Sequence, residues 1–289
     1  MKVNHHLRGK TLFAVIVTVL LACAITHADN IYVSRGDNII KFDSSGSVSI
    51  FASGLYGAEG LALDNSGNLY VTLRWNGLIE KFDSSGNGAI FASDLHEPIG
   101  LAFDGIGNLY AANGSSGTIE KFDLSGNRSF FASNLDFPAG LAFDGSGNLY
   151  MANLGWYSEV WKIDKFDSSG IGSVFASDLN GPYCLAFDGI GNLYVTNYWG
   201  GTIEKFDSSG NRSVFASDLY SPMGLAFDSI GNLYVANSGS GTIEKFDLSG
   251  NRSIFASDLG HPLCIAVQVP EPATLLLFGL ASIALRRKK

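Results

Sequence analysis

The chain has 289 residues, of which 46% are hydrophobic, 12% aromatic and 16% charged. That apolar content suffices for a packed core and excludes wholesale disorder, despite 35 glycines. The formal charge is −8, but residues 29–268 alone carry 12 Lys/Arg against 26 Asp/Glu, a net of −14. A body so acidic repels phosphate backbones, which argues against nucleic acid as a partner.

Residues 1–28 read as an export signal. Lys2, Arg8 and Lys10 form a basic lead, Thr11 to Ala22 an apolar stretch, and Thr26-His27-Ala28 a small-residue cleavage site before Asp29. Leu20-Leu21-Ala22-Cys23 offers the rival possibility of lipidation at Cys23. Cleavage after Ala28 is the preferred reading, because it falls just before the repetitive body begins.

Residues 29–268 repeat themselves. Strings of the form Gly-Leu-Ala-Phe-Asp begin at Gly60, Gly100, Gly140, Cys184, Gly224 and, more loosely, Cys264, at separations of 40, 40, 44, 40 and 40 residues. One unit, 100–139, holds four short apolar runs, LAFD, NLYAAN, TIEKFD and SFFAS. Turns of the form Asp-x-x-Gly-Asn, such as 123–127, separate the first run from the second and the third from the fourth. Their Asp carboxylates can accept backbone N–H groups and their Gly supplies positive φ, so a structural turn is preferred to a calcium loop.

Four antiparallel strands per unit of this length predict a propeller blade. The first unit, 30–53, lacks its innermost strand, and Pro262 to Gln268 supplies only that strand. The expected fold is therefore all-β: a six-bladed propeller with four antiparallel strands per blade, closed by the C-terminal strand joining the three N-terminal strands. Such closure leaves no unpaired edge.

The units resemble NHL repeats. Gly224-Leu225-Ala226-Phe227-Asp228, Gly231-Asn232-Leu233-Tyr234-Val235 and Ile243-Glu244-Lys245-Phe246-Asp247 carry the resemblance, which extends over 30–268. It implies a binding platform. Related six-bladed proteins of the gluconolactonase family are metal-dependent hydrolases, so fold alone does not choose between binder and enzyme.

Variation between units concentrates on one face, where the fourth strand leads to the next first strand and the second to the third. Glu59, Ile99, Ala139, Tyr183, Met223 and Leu263 precede the inner strands there. Arg35, Leu73, Asn113, Asn153, Asn197 and Asn237 end the second strands and are expected to ring the mouth of a central channel. Trp75, Trp156, Tyr157, Tyr198 and Trp199 lie in the neighbouring loops, and a four-residue insertion falls around Trp156. Aromatic rings beside amides can stack on sugars or anchor a protein partner. Tyr183, these five rings and the four Asn residues form the expected ligand-binding face.

Catalytic signals are weak. Glu59-Gly60 is similar to the Glu-Gly pair that holds the divalent metal in gluconolactonase-type propellers, which makes Glu59 a candidate ligand for weak calcium binding. The other ligands of that family are not matched, and an Arg35–Glu59 ion pair is the preferred explanation of the carboxylate. His96 and His261 stand in non-adjacent units and are expected to be solvated loop residues. Cys184 and Cys264 occupy equivalent positions two blades apart, beyond the roughly 7 Å that a disulfide tolerates between Cα atoms, so two buried free thiols are expected. No catalytic residue and no firm cofactor emerge.

The chain ends in Pro270-Glu271-Pro272, a mostly apolar run from Ala273 to Leu285, and Arg286-Arg287-Lys288-Lys289. The run is short for a ~30 Å hydrocarbon core, and the bases hold the terminus in the cytoplasm. This order of features in residues 269–289 resembles the PEP-CTERM sorting signal of Gram-negative bacteria. The resemblance implies processing by an exosortase, a transient inner-membrane anchor, and delivery to the cell surface or extracellular matrix. The membrane is then met only through the tail before processing. The leading expectation is an exported, non-catalytic binding propeller whose aromatic face meets a glycan or protein. The alternatives are a gluconolactonase-like hydrolase and a purely structural matrix protein.

Overall fold

The computed structural model describes residues 29–43, 45–155 and 160–268. The signal segment 1–28, the tail with Pro270, Glu271 and Pro272, and the ring-bearing Trp156 and Tyr157 lie outside the described residues.

Apart from a short 3-10 turn at Arg74–Asn76, every described element is a strand. One sheet holds β1 (Asn30–Ser34), β2 (Gly36–Phe42), β3 (Val48–Leu63), β4 (Leu69–Leu73), β5 (Leu78–Phe82) and β6 (Gly88–Ala92). Next come the four-stranded sheets β7 (Pro98–Phe103), β8 (Leu109–Asn113), β9 (Thr118–Phe122), β10 (Arg128–Ala132), and β11 (Pro138–Phe143), β12 (Leu149–Asn153), β13 (Lys162–Phe166), β14 (Gly172–Ala176). Two more comprise β15 (Pro182–Phe187), β16 (Leu193–Asn197), β17 (Thr202–Phe206), β18 (Arg212–Ala216), and β19 (Pro222–Phe227), β20 (Leu233–Asn237), β21 (Thr242–Phe246), β22 (Arg252–Ala256). Strand β23 (Ile265–Gln268) returns to the first sheet, pairing Asn30 with Gln268 and Val33 with Ile265. Repeated four-stranded antiparallel sheets of this kind are propeller architecture.

The first sheet has seven strands because β3 is continuous where other units break between their fourth strand and the next first strand. Elsewhere that inner strand opens on Pro98, Pro138, Pro182 or Pro222, which lacks an N–H for the ladder. Ala58 stands in the same place and pairs with Gly36, while the earlier part of β3 pairs with β2 and its later part with β4.

Register gives each sheet two distinct ends. Pro222 pairs with Asn237, Phe227 with Leu233, and Phe246 with Arg252. Turns 228–232 and 247–251 therefore share one end, the turn end, while 238–241 and 257–264 share the other, the loop end. At the turn end, Asp104 Oδ1 accepts the N–H groups of Ile106 and Asn108 at 3.1 and 2.8 Å, and Oδ2 accepts the Asn108 amide at 2.7 Å. Asp83, Asp123, Asp207 and Asp247 repeat the device, and the Asn side chain of each turn foremost holds their carboxyls below the usual range.

Inner strands β3, β7, β11, β15, β19 and β23 lie against one another in that order, and β23 also lies against β3. Their approach is close enough to dictate glycine. A Cβ on Gly60 or Gly100 would collide with the carbonyl oxygen of Ile99 or Ala139 on the neighbouring strand. Farther out, aromatic rings tie sheet to sheet. Tyr110 meets Phe131 of its own sheet at 5.0 Å and Phe143 of the next at 4.9 Å, both edge-on. Tyr70, Tyr150 and Tyr194 repeat this three-ring contact. Each such pair adds about 0.5–1.5 kcal/mol beyond burial.

Candidate functional site at the loop end

The loop end converges on Glu59, near the inner start of the β3–β4 pairing. Its carboxylate is buried, with the residue 6% exposed. Oε2 lies 3.4 Å from Arg74 Nη1, and Oε1 accepts a hydrogen bond from the Tyr183 hydroxyl. Arg74 opens the 3-10 turn after β4, which Gly77 ends in the left-handed region at φ 62°. The guanidinium also binds Glu97 Oε2 through Nη2 at 2.9 Å and through Nε at 3.2 Å. It stacks 4.7 Å from the Trp75 ring centroid and 5.5 Å from that of Phe137.

The loops that supply these partners share a left-handed residue before proline, which Ser221 repeats with φ 50°. Glu97 and Phe137 precede prolines yet take φ of 50° and 55°. Left-handed backbone at non-glycine residues is unfavourable and persists only where surrounding contacts hold it. Both side chains touch Arg74. The ion pair expected between Arg35 and Glu59 is thus replaced. Arg35 instead binds Asn38 Oδ1 at 2.7 Å and the Leu259 carbonyl at 3.2 Å, while Arg74 takes the carboxylate.

Electrostatics at Glu59 are a contest. Burial raises its carboxyl above the usual range, while Arg74 and the Tyr183 hydroxyl pull it down. Burial and the neighbouring Glu59 charge together push the Tyr183 phenol well up, so it donates to the carboxylate as a neutral hydroxyl.

A row of rings continues from there. Tyr183 and Tyr198 lie 6.3 Å apart, and Tyr198 meets Trp199 edge-on at 4.5 Å. Trp199 and Trp75 remain 59% and 58% exposed. Each indole covers a glycine of the adjacent loop, Gly181 and Gly57, both at positive φ, where a Cβ would strike the ring. The structure therefore brings together Glu59, Tyr183, Tyr198 and Trp199, with Trp75 joined through Arg74.

The four expected mouth amides are elsewhere. Asn113, Asn153, Asn197 and Asn237 are buried and turn outward to the third strand of their own sheet. Asn237 donates to Glu244 Oε1 at 2.7 Å and Asn197 to Glu204 Oε1 at 3.0 Å. Asn113 donates to Thr118 Oγ1 at 3.3 Å, and Asn153 to Asp164 Oδ2 at 3.5 Å. Glu204 and Glu244 pair in turn with Arg212 and Arg252 on the outer strand. Arg212 also donates to the Ser177 and Asp178 carbonyls of the preceding sheet at 3.0 and 2.9 Å. Asn197 and Asn237 thus belong to a brace between sheets, and Asn113 and Asn153 bond within their own sheet.

Below Glu59 the inner strands enclose a cavity of about 100 Å³, lined by Glu59, Ile99, Tyr183, Cys184 and Cys264 among others. Both cysteines are free thiols raised by burial. His96 and His261 are exposed, and His261 Nδ1 lies 3.2 Å from the Ser238 carbonyl oxygen. Among the described residues, no group of three or more His, Cys, Asp or Glu side chains is placed to hold a metal. Glu59 does not fit a calcium ligand in this arrangement: both its oxygens have donors, one of them a guanidinium. Arg74 and Glu97 escaped the reading of the sequence. The available signal was Arg74 itself, a base where the equivalent positions hold Gly114, Leu154, Tyr198 and Ser238.

Residues 268–289 match the family model of the PEP-CTERM protein-sorting motif. That signal implies export, exosortase processing and a transient C-terminal membrane anchor in a Gram-negative bacterium. Among the described residues no helix is long and apolar enough to cross a membrane. No curated protein matches the sequence. Among solved structures, the chain is similar to one in a nidogen/laminin complex, at 20% identity and TM-score 0.75, covering 83% of this chain and 98% of that one. It is similar to virginiamycin B lyase from Staphylococcus aureus at 14% identity and TM-score 0.61, covering 72% and 73%. Regucalcin from Agrobacterium tumefaciens, a calcium-binding protein, is similar at 17% identity and TM-score 0.62, covering 72% and 76%. At these identities the likeness is one of fold: the chain is propeller-like and carries a C-terminal PEP-CTERM motif.

Proposed function

We propose that the chain is an exported binding propeller, non-catalytic, whose loop end receives an extracellular glycan. The supporting observation is the row from Trp75 through Arg74, Glu59, Tyr183 and Tyr198 to Trp199, with exposed indoles at both ends of a fixed ionic centre. Exposed rings offer flat apolar faces for sugar rings, and the flanking Glu97 and Arg74 offer hydroxyl-binding partners. A protein ligand on the same rings is the alternative outcome.

In this reading the body has six NHL-like blades. Strand β3 serves two of them, as fourth strand of one and first strand of the next, and β23 completes the blade begun by β1. The ring of contacts among inner strands supports that count and that closure. The domain limits follow: 1–28 signal, 29–268 propeller, 269–289 sorting segment.

A gluconolactonase-like hydrolase is the second reading, favoured by the buried Glu59 at an inner-strand start. The Arg74 contact weighs against it, because a divalent ion there would face a guanidinium. Glycan-array binding of wild type and of Trp75→Ala and Trp199→Ala tests the first reading. Loss of a wild-type hit in both variants supports it. Unchanged binding in both removes the assigned site, and calcium-dependent lactone hydrolysis would favour the second.

A further inference from the structure

We propose that the turn end is the face held against the lipid surface while the C-terminal segment is anchored, so that the aromatic loop end points away from the membrane. The inference rests on the sorting-signal reading of residues 268–289 and adds an orientation to it. Strand β23 ends at Gln268, which pairs with Asn30 at the turn end and accepts its side-chain amide at 2.9 Å. The Gln268 side chain lies against Gly67 of turn 64–68, and Asp29 accepts the Ser229 N–H of turn 228–232 at 2.6 Å. The chain thus leaves among the turns. Val269 to Pro272 alone separate Gln268 from the apolar run at Ala273. Even fully extended, that span reaches at most about 18 Å.

The turn end carries side chains suited to such a surface. Ile106, Leu124, Ile190, Ile230 and Leu248 sit at turn tips, 74%, 77%, 81%, 69% and 78% exposed. The turns do not need them: the hydrogen bonds run through Asp, Gly and Asn, and Ser66 and Ser84 fill the same places in turns 64–68 and 83–87. Two pairs are contiguous. A Cβ on Gly107 would meet Leu124 at 2.9 Å, and one on Gly231 would meet Leu248 at 2.8 Å, so each Leu lies beside the turn bearing Ile106 or Ile230. Aliphatic tips at one end of an acidic body favour shallow insertion at the headgroup boundary rather than attraction to anionic lipid. A tethered face needs little intrinsic affinity, because the anchor supplies a high local concentration of membrane.

The test uses the chain with its C-terminal segment, inserted in vesicles of phosphatidylethanolamine and phosphatidylcholine. The photocrosslinking residue p-benzoylphenylalanine replaces either Ile190 at the turn end or Tyr220, which is 69% exposed at the loop end. Lipid adducts are read by mass spectrometry. The proposal expects adducts from position 190 and none from position 220. Equal adducts, or adducts from 220 alone, overturn it. A second protein carries Ile106→Asp, Leu124→Asp, Ile230→Asp and Leu248→Asp with the crosslinker at 190. It should still float with vesicles but lose the adduct; a retained adduct shows that proximity came from the tether alone and overturns the aliphatic face. Failure of the parent chain to float overturns the anchor and this orientation together.

Discussion

Arg74 holds Glu59: its Nη1 stands 3.4 Å from the buried carboxylate Oε2, while the Tyr183 hydroxyl donates to Oε1. Breaking a buried pair by removing one partner strands the other charge. Arg74 is itself partly exposed, with its side chain 19% accessible. Arg74→Ala is therefore expected to lower unfolding free energy by about 2–4 kcal/mol at neutral pH. The pH dependence separates this account from lost packing. Burial raises Glu59, and Arg74 opposes it. A carboxyl raised on folding contributes stability that is complete below its unfolded value and is lost as pH rises through the folded one. Without Arg74 the folded value climbs further, so the variant's deficit should shrink between pH 7 and pH 5 in denaturant titrations, going down toward the ordinary 4.5. A deficit equal at both pH values contradicts the charge account.

Inner-strand glycines make a sharper steric prediction. Gly100→Ala drives a Cβ into the Ala139 carbonyl on the neighbouring strand, whereas Gly105 has nothing within 4 Å of its Cβ position. Gly100→Ala should cost about 1–3 kcal/mol, or more if the neighbouring strand cannot shift. Gly105→Ala should stay within about 0.5 kcal/mol of wild type. Thermal unfolding of the two variants side by side checks the close approach of the sheets.

The brace between sheets predicts a third result. Arg212 binds Glu204 and two carbonyls of the preceding sheet. Arg212→Ala leaves the 7% exposed Glu204 with only the Asn197 amide. Destabilisation of about 2–4 kcal/mol is expected. Double substitution with Glu204→Ile should recover part of it, since Ile40 fills the equivalent place in the first unit without an arginine. A double variant no more stable than the single one contradicts the brace.

What the sequence made legible follows from the range of the interactions. The forty-residue unit and the Asp-x-x-Gly-Asn turns were readable because their hydrogen bonds close within five residues, as in Asp123–Asn127. Every strand pair except β1 with β23 likewise joins adjacent runs. The mouth was less legible because it depends on where side chains point. Asn237 shares a strand face with Leu233 and Val235, both buried between sheets, and alternation along β20 carries its amide there too. Strand position alone had placed it at the channel. Arg35 and Arg74 could equally have served Glu59 by sequence. The 3-10 turn after β4 and the Glu97 carboxylate of the next loop bring Arg74 to it, while Arg35 is held by Asn38 and the Leu259 carbonyl.

Acid should unfold the protein through its turns. Asparagine side chains first, then backbone N–H groups, hold Asp83, Asp123, Asp207 and Asp247 below their ordinary 3.8. A depressed carboxyl contributes stability that is present above its unfolded value and lost as pH falls through the folded one. Repeated in every sheet, this predicts a steep fall in melting temperature below about pH 4. Asp123→Asn should lower the melting temperature at pH 7 and flatten its fall in acid. An unchanged acid profile would dissociate the turns from the transition.

The most direct measurement on the binding account is hydrogen exchange with and without an oligosaccharide that scores on the array. The account predicts ligand protection at 56–60, 74–77 and 197–201, segments of the loop end, with turns 104–108 and 228–232 unchanged. Protection confined to those turns, or absent from all loop-end segments while the ligand is bound, would contradict it.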